Sequence, residues 1–344
     1  MSLDERKQKI LGAVVRDYVE TVRPVGSEEL AARHPWGVKS ATIRNELADL
    51  AELGYLRQPH TSAGRIPSDR GYRFYVDHLM VARAVEGAPD CDARALDLEH
   101  LLRQTCALLT RMTSYTSVAT PPRPADTRLS RVFVSPAGDG RLLVVGLFST
   151  GQAENRLLGP PPDAPEATPA EIVALGNALD AALAGQTLDA LAAPEATPPP
   201  PELQGAQRAR FDALAEAVRQ MARQAADEDQ VYLEGTREIL RQPEFRDVGK
   251  IESVLETLQR RTLLYQSLSH ALWHSDVTVV IGAENPVQAM QECSVVTASY
   301  YVGARERGTI GVVGPTRMDY DRAVPAVSFF ARSLSQTLTR LGGW

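Results

Sequence analysis

Cysteine is scarce in this chain. Three residues, Cys91, Cys106 and Cys293, are spread over 344 positions. They make no CxxC pair and no disulfide framework, which excludes a stapled secreted scaffold and fits a reducing cytoplasm. Each reads as a small buried side chain. Long apolar runs are missing too: no stretch approaches the roughly 18–20 residues needed to cross a bilayer. The opening MSLDERKQKI lacks the apolar core of a secretion signal. His60, one of only six histidines, has no second ligand at metal spacing beside it. Neither a GxGxxG loop nor a P-loop lysine is present. Gly311-Val312-Val313-Gly314-Pro315 comes nearest and reads as a strand end and turn. Glu284-Asn285, Asp319 and Asp321 have no partner identifiable in the sequence, and no Ser/His/Asp or Cys/His set stands out. The expectation is a protein that is not an enzyme and carries no cofactor.

Positive charge is also short overall, with a net charge of −6. Its distribution says more. Residues 1–83 hold 13 Lys and Arg against 11 Asp and Glu, while the remainder holds 24 against 32. Within 57–73, Arg57, Arg65, Arg70 and Arg73 face only Asp69. A local basic patch on an acidic chain is expected when one small module meets phosphates and the rest does not.

What is present begins with a helix over 3–21, capped by Ser2 with Glu5 three residues on, and carrying Ile10, Leu11, Val14, Tyr18 and Val19 at helical spacing. Ser27 caps a short helix, Glu28–Arg33, and His34-Pro35-Trp36-Gly37 makes a turn. A third helix runs from about Ser40 to Leu53 on the stripe Ile43, Leu47, Leu50, so Thr42, Arg44 and Asn45, with Lys39 and Ser40 as further candidates, point elsewhere, and Gly54 ends it. Tyr55–Gln58 reads as a short strand. The stretch HTSAGRIPSDRGYRFYV, 60–76, is basic, glycine-bearing and poor in apolar residues. It is either a solvated lead into a helix over 69–84 or a wing. Its place directly after a helix-turn-helix order favours the wing, and that order as a whole predicts a winged helix-turn-helix.

After a linker at Glu86–Asp90 the pattern changes. A helix is expected over 91–118, then strands Arg131–Ser135 and Arg141–Phe148, and an alanine-rich helix Ala170–Leu191. Residues 205–273 read as nearly all helical. Ile251, Leu255, Leu258, Thr262, Tyr265, Leu268 and Leu272 form a stripe suited equally to a core or to a partner helix. Strands return at Val277–Ile281, Cys293–Tyr301 and Thr309–Val313, followed by a helix over about Arg322–Leu341. Strands and helices around a helical block suggest an α+β multidomain chain with an insertion.

Three blocks carry a family resemblance. SATIRNELADLAELGYLRQPHTSAGRIPSDRGYRFYVD at 40–77, YLEGTREILRQPEF at 232–245, and IGAENPVQAMQECSVVTASY at 281–300 followed by GTIGVVGPTRMDY resemble HrcA, the bacterial heat-inducible transcription repressors. The resemblance implies a winged-helix domain at 1–84. It implies a GAF-like α/β domain in two segments, 91–204 and 274–344, and an inserted, mainly helical dimerisation domain at 205–273. It implies a homodimer on double-stranded DNA, binding the CIRCE inverted repeat upstream of chaperone operons, with the GroEL chaperonin favouring the DNA-binding state. Carried over, the DNA-binding residues are Ser40, Thr42, Arg44 and Asn45 on the recognition helix. In the wing they are His60, Thr61, Ser62, Gly64 and Arg65, with Arg70 and Arg73 behind. GAF-like folds often bind ligands, so a small-molecule sensor at 281–320 stays open beside a sensor of folding capacity.

Overall fold

The computed structural model describes residues 3–60, 63–83, 85, 98–121, 127–150, 152–160, 165–193, 198–225, 231–246, 254, 277–302 and 306–341. Cys91 and the stripe from Ile251 to Leu272 lie outside them.

The N-terminal elements are α1 (Glu5–Thr21), α2 (Ser27–Arg33), α3 (Ser40–Glu52), β1 (Leu56–Arg57), β2 (Ile66–Pro67) and α4 (Asp69–Phe74). Asp4 caps α1, its side chain accepting from the Lys7 N–H, and Ser2, the expected cap, lies outside the described residues. Ser27 is the first residue of α2 rather than its cap, because Val25 is held extended by two backbone hydrogen bonds to Arg65, each 2.9 Å. Ile43, Leu47 and Leu50 of α3 are buried with Ile10, Leu11 and Val14 of α1. Gly54, at φ +79°, ends α3 in the left-handed region, as a helix-ending glycine does. The helix expected over 69–84 is shorter. It widens into one π-turn at Tyr75–Leu79 and stops at Met80, which is extended.

The central element is a five-stranded antiparallel sheet in the order β7-β3-β10-β9-β8. It comprises β3 (Thr116–Thr120), β7 (Tyr232–Glu234), β8 (Val277–Ile281), β9 (Cys293–Val302) and β10 (Glu306–Pro315). Helix α5 (Leu98–Thr113) and the C-terminal α10 (Tyr320–Leu341) cover one face. Leu102, Cys106 and Leu109 meet Ala298, Tyr300, Ile310, Phe330 and Leu334 there. Val118, Val295 and Val313 pack on the other face with Ile239 of α9 (Thr236–Leu240), Phe245, Val254 and Met290. The helix expected over 91–118 gives way to β3 at Thr116. All five β3 residues are buried, so the strand has no alternation to betray it.

A second unit is a three-stranded antiparallel sheet, β4 (Leu129–Pro136), β5 (Leu142–Phe148) and β6 (Ala153–Leu158). Helices α6 (Pro169–Leu183), α7 (Leu188–Ala192) and α8 (Gly205–Ala225) cover one of its faces. Its core is separate: Val132, Val144 and Phe148 meet Ile172, Leu179, Phe211 and Met221. Helix α8 therefore shares a core with the strands before it, whereas the expected boundary at 204/205 sets it apart. Tyr232–Glu234, expected within a helical block, is an edge strand of the central sheet. Helices on one face of antiparallel sheets make the chain α+β.

Candidate nucleic-acid interface

Helix α3 turns its apolar stripe inward, so Arg44 and Asn45 stand exposed on the far side, with Ser40 and Thr42 half-buried near its start. Lys39 is the N-cap and supplies no side-chain hydrogen bond, which leaves the positive end of the helix open. The β1–β2 ribbon is short, pairing Leu56 with Pro67 and Arg57 with Ile66. Val25 extends it by bridging to Arg65. Between ribbon, α2 and α3 lies an open groove of about 500 Å3, lined by Val25–Glu28, Arg44, Leu47, Gln58 and Ala63–Arg65. Arg44 and Arg65, distant in sequence, thus share one groove with Glu28.

The charges around the groove are sorted. Glu46 and Asp49 of α3 lie on its other side, where Lys7 reaches them at 2.8 and 3.1 Å. Hydrogen bonding to Glu46 and Asp49 holds the Lys7 ammonium well above its usual range. Among the described residues Lys39, Arg44 and Arg57 make no ion pair. The Arg65 Nε is buried and has no partner. His60 is exposed at the ribbon tip, where its carbonyl accepts from Ala63 N–H and the Gln58 amide donates to the Ala63 carbonyl. Thr61 and Ser62 lie outside the described residues.

Three expected site residues have other work. A Cβ on Gly64 would stand 2.4 Å from the Val25 carbonyl oxygen. The glycine lets two backbones close up. Arg70 turns back onto the end of α3, donating to the Leu53 carbonyl at 2.8 Å and lying 4.5 Å over the Tyr55 ring. Arg73 points toward the central sheet and pairs with Glu284 at 2.8 Å. Neither arginine joins the groove. Gln58 lines this groove too and is absent from the expected set.

The rival catalytic candidates also have structural places. Gly311–Pro315 is the second half of β10, and a Cβ on Gly311 would meet the Val296 carbonyl oxygen at 2.3 Å. Asp321 accepts from the buried Tyr75 hydroxyl at 2.8 and 2.9 Å. Burial, and then this carboxylate, push the Tyr75 phenol up to about 12. Among the described residues no group of three His, Cys, Asp or Glu could hold a metal ion. Nor is any described helix long and apolar enough to cross a membrane.

Known proteins resemble this chain along its length. Residues 99–324 match the family model described as the HrcA protein C terminal domain. A relative from Pelotomaculum thermopropionicum, named heat-inducible transcription repressor HrcA, is 38% identical, with 99% of this chain and 98% of the relative covered. One of the same name from Moorella thermoacetica is 39% identical, with 99% of each covered. A crystal structure titled as that of a hypothetical protein at 2.2 Å resolution shares the fold. Its TM-score is 0.71 at 22% identity, covering 99% of this chain and all of that one. The chain belongs to the HrcA family.

Proposed function

We propose that the chain represses heat-shock genes by binding, as a homodimer, the inverted-repeat operator CIRCE. In this reading residues 3–83 are a winged helix-turn-helix, with α3 as recognition helix and the ribbon as wing. The observation that carries it is the convergence of Arg44 and Arg65 on one open groove, with Glu46 and Asp49 of α3 paired to Lys7 on the other side. Arg44 can make paired bonds to a guanine edge and Asn45 to an adenine edge, while Arg65 serves phosphate. Ser40 and Thr42 are near enough to the open helix end to join them. Thr61 and Ser62 keep their proposed phosphate role on family grounds alone.

The central sheet with α5 and α10 is proposed to be the GAF-like domain, and β4 through α8 the unit inserted into it. Dimerisation through that unit is supported by the other face of its sheet, which no described element covers. Cross-strand register places Phe133 beside Val145 and Asn155, Ser135 beside Leu143 and Leu157, and Arg131 beside Leu147 and Ala153. Phe133 and Leu157 are each 51% exposed, unusual for large apolar side chains. Two-fold protein symmetry is what an inverted repeat requires.

The test is fluorescence anisotropy on a CIRCE duplex beside one with scrambled arms, across a salt series. The expected result is tighter binding to the repeat by about 10³-fold or more, two chains per duplex. Equal, steeply salt-sensitive binding to both would reduce the groove to a general phosphate contact. Modulation by GroEL is proposed from family membership. It predicts that operator affinity after heating depends on added chaperonin, and equal recovery without chaperonin removes it.

A further inference from the structure

The side of the N-terminal module away from the groove is fastened to the rest of the chain by polar contacts drawn from three places. On α4, Asp69 accepts from the Ala283 N–H at 2.9 Å. Gly282, at φ +51°, makes room for it, since a Cβ there would stand 2.3 Å from the Asp69 carboxylate. One turn on, Arg73 donates to Glu284 at 2.8 Å and to the Val279 carbonyl at 2.5 Å. Glu284 is itself held by the Ile281 N–H at 2.9 Å, so the acceptor is fixed before the arginine arrives. The two α4 side chains thus grip the turn that follows β8 from both ends.

The second fastening is at the start of α10. Tyr75 donates to Asp321, and the Val81 N–H donates to the same carboxylate at 3.3 Å. Pro325 sits four residues after Asp321 and has no N–H, so the Asp321 carbonyl is left without its helical partner. The Arg83 N–H takes that place at 3.0 Å. Third, Arg317, buried and paired with Glu244, reaches the Val19 carbonyl at the end of α1. None of these contacts uses α3 or the ribbon tip. Lys39, Arg44, Asn45 and His60 stay exposed while the module is fastened.

The geometry points to Asp69, Arg73 and Tyr75 as positioning residues for operator recognition: by fixing the N-terminal module to the central sheet, they set the separation at which two copies read the two arms. The inference rests on the dimeric repressor reading. Half-site spacing is a geometric property only if each reading head is rigidly mounted. A head on a loose tether accepts several spacings and gains less from its neighbour, because the effective concentration of the second head falls.

The test uses the full-length chain with Arg73→Met, Tyr75→Phe and the pair together. Anisotropy is read on a single-arm duplex, on the natural repeat, and on repeats with the arms moved apart by half a helical turn, about 5 base pairs. The expected result for the double variant is single-arm affinity within about twofold of the parent. Affinity for the natural repeat falls about tenfold or more, and the penalty for the half-turn insertion shrinks. Arg73→Lys, which keeps one cationic donor, restores part of the discrimination. An unchanged insertion penalty overturns the inference, as does a loss on the single arm equal to that on the repeat, which marks mere damage to the module. Should the double variant misfold, Tyr75→Phe alone, which keeps the ring and loses one hydroxyl, decides on the same three duplexes. A parent that does not prefer the repeat over scrambled arms defeats the repressor reading first, and this inference with it.

Discussion

Arg44, Arg65 and Arg70 are alike in sequence and differ in what surrounds them. Arg44 is exposed on α3 with no carboxylate partner, so Arg44→Ala is expected to cost ~1–3 kcal/mol on the operator and less on scrambled DNA, read by paired titrations. Arg65→Ala should weaken both and flatten the salt dependence; a steeper or unchanged slope removes its phosphate role. Arg70 satisfies the Leu53 carbonyl and covers Tyr55, so Arg70→Ala should lower stability by about 1 kcal/mol. Its salt slope should match the parent's, checked by denaturant melts beside DNA titrations. Burial raises both described thiols, Cys293 up to about 12 and Cys106 beyond the usual thiol range. A thiol reagent at pH 8 is therefore expected to leave both unmodified until the chain unfolds. The folded chain keeps a proton that the unfolded chain loses. This contribution to stability is thus whole below about pH 8.5 and fades as pH rises toward 12.

At the scale of elements, α3 was readable because its apolar stripe has the helical period and Gly54 follows in the ending role. The ribbon was readable in outline from glycine, arginine and the lack of a core pattern. Its third member was not: Val25 lies 40 residues from Arg65 in the chain and joins by a single bridge. Gly64→Ala tests that join. The added methyl meets the Val25 backbone, which has no flexible end to move, so a loss of about 1–3 kcal/mol is expected with weaker operator binding. Unchanged melting would mean that the bridge yields at no cost. The strands β3 and β7 were not legible for different reasons: β3 is buried throughout, and β7 is only three residues long.

At the scale of the molecule, the surface to break is the open face of the β4–β5–β6 sheet. Phe133→Asp with Leu157→Asp should leave each chain folded, because both side chains point away from the core of Val132, Val144 and Phe211. Sedimentation is expected to show a monomer, and binding to the repeat should fall toward that of a single arm. A dimer of unchanged stability would place the symmetric contact elsewhere. The expected helical dimerisation block at 205–273 differs from this picture because α8 is consumed in covering the other face of the same sheet. An amphipathic stripe states that a face is buried without stating against what.

By itself the sequence determined the three N-terminal helices, the basic segment and, through three separated blocks, the family. Those features depend on neighbours in the chain, on period, composition and spacing. The tertiary structure alone decided which arginines face the groove, since Arg44, Arg65, Arg70 and Arg73 have the same charge and were separated by a carbonyl, a ring and a glutamate from other elements. It also decided which strands make each sheet. Pairing is settled by contacts between segments distant in the chain, and no local pattern records them.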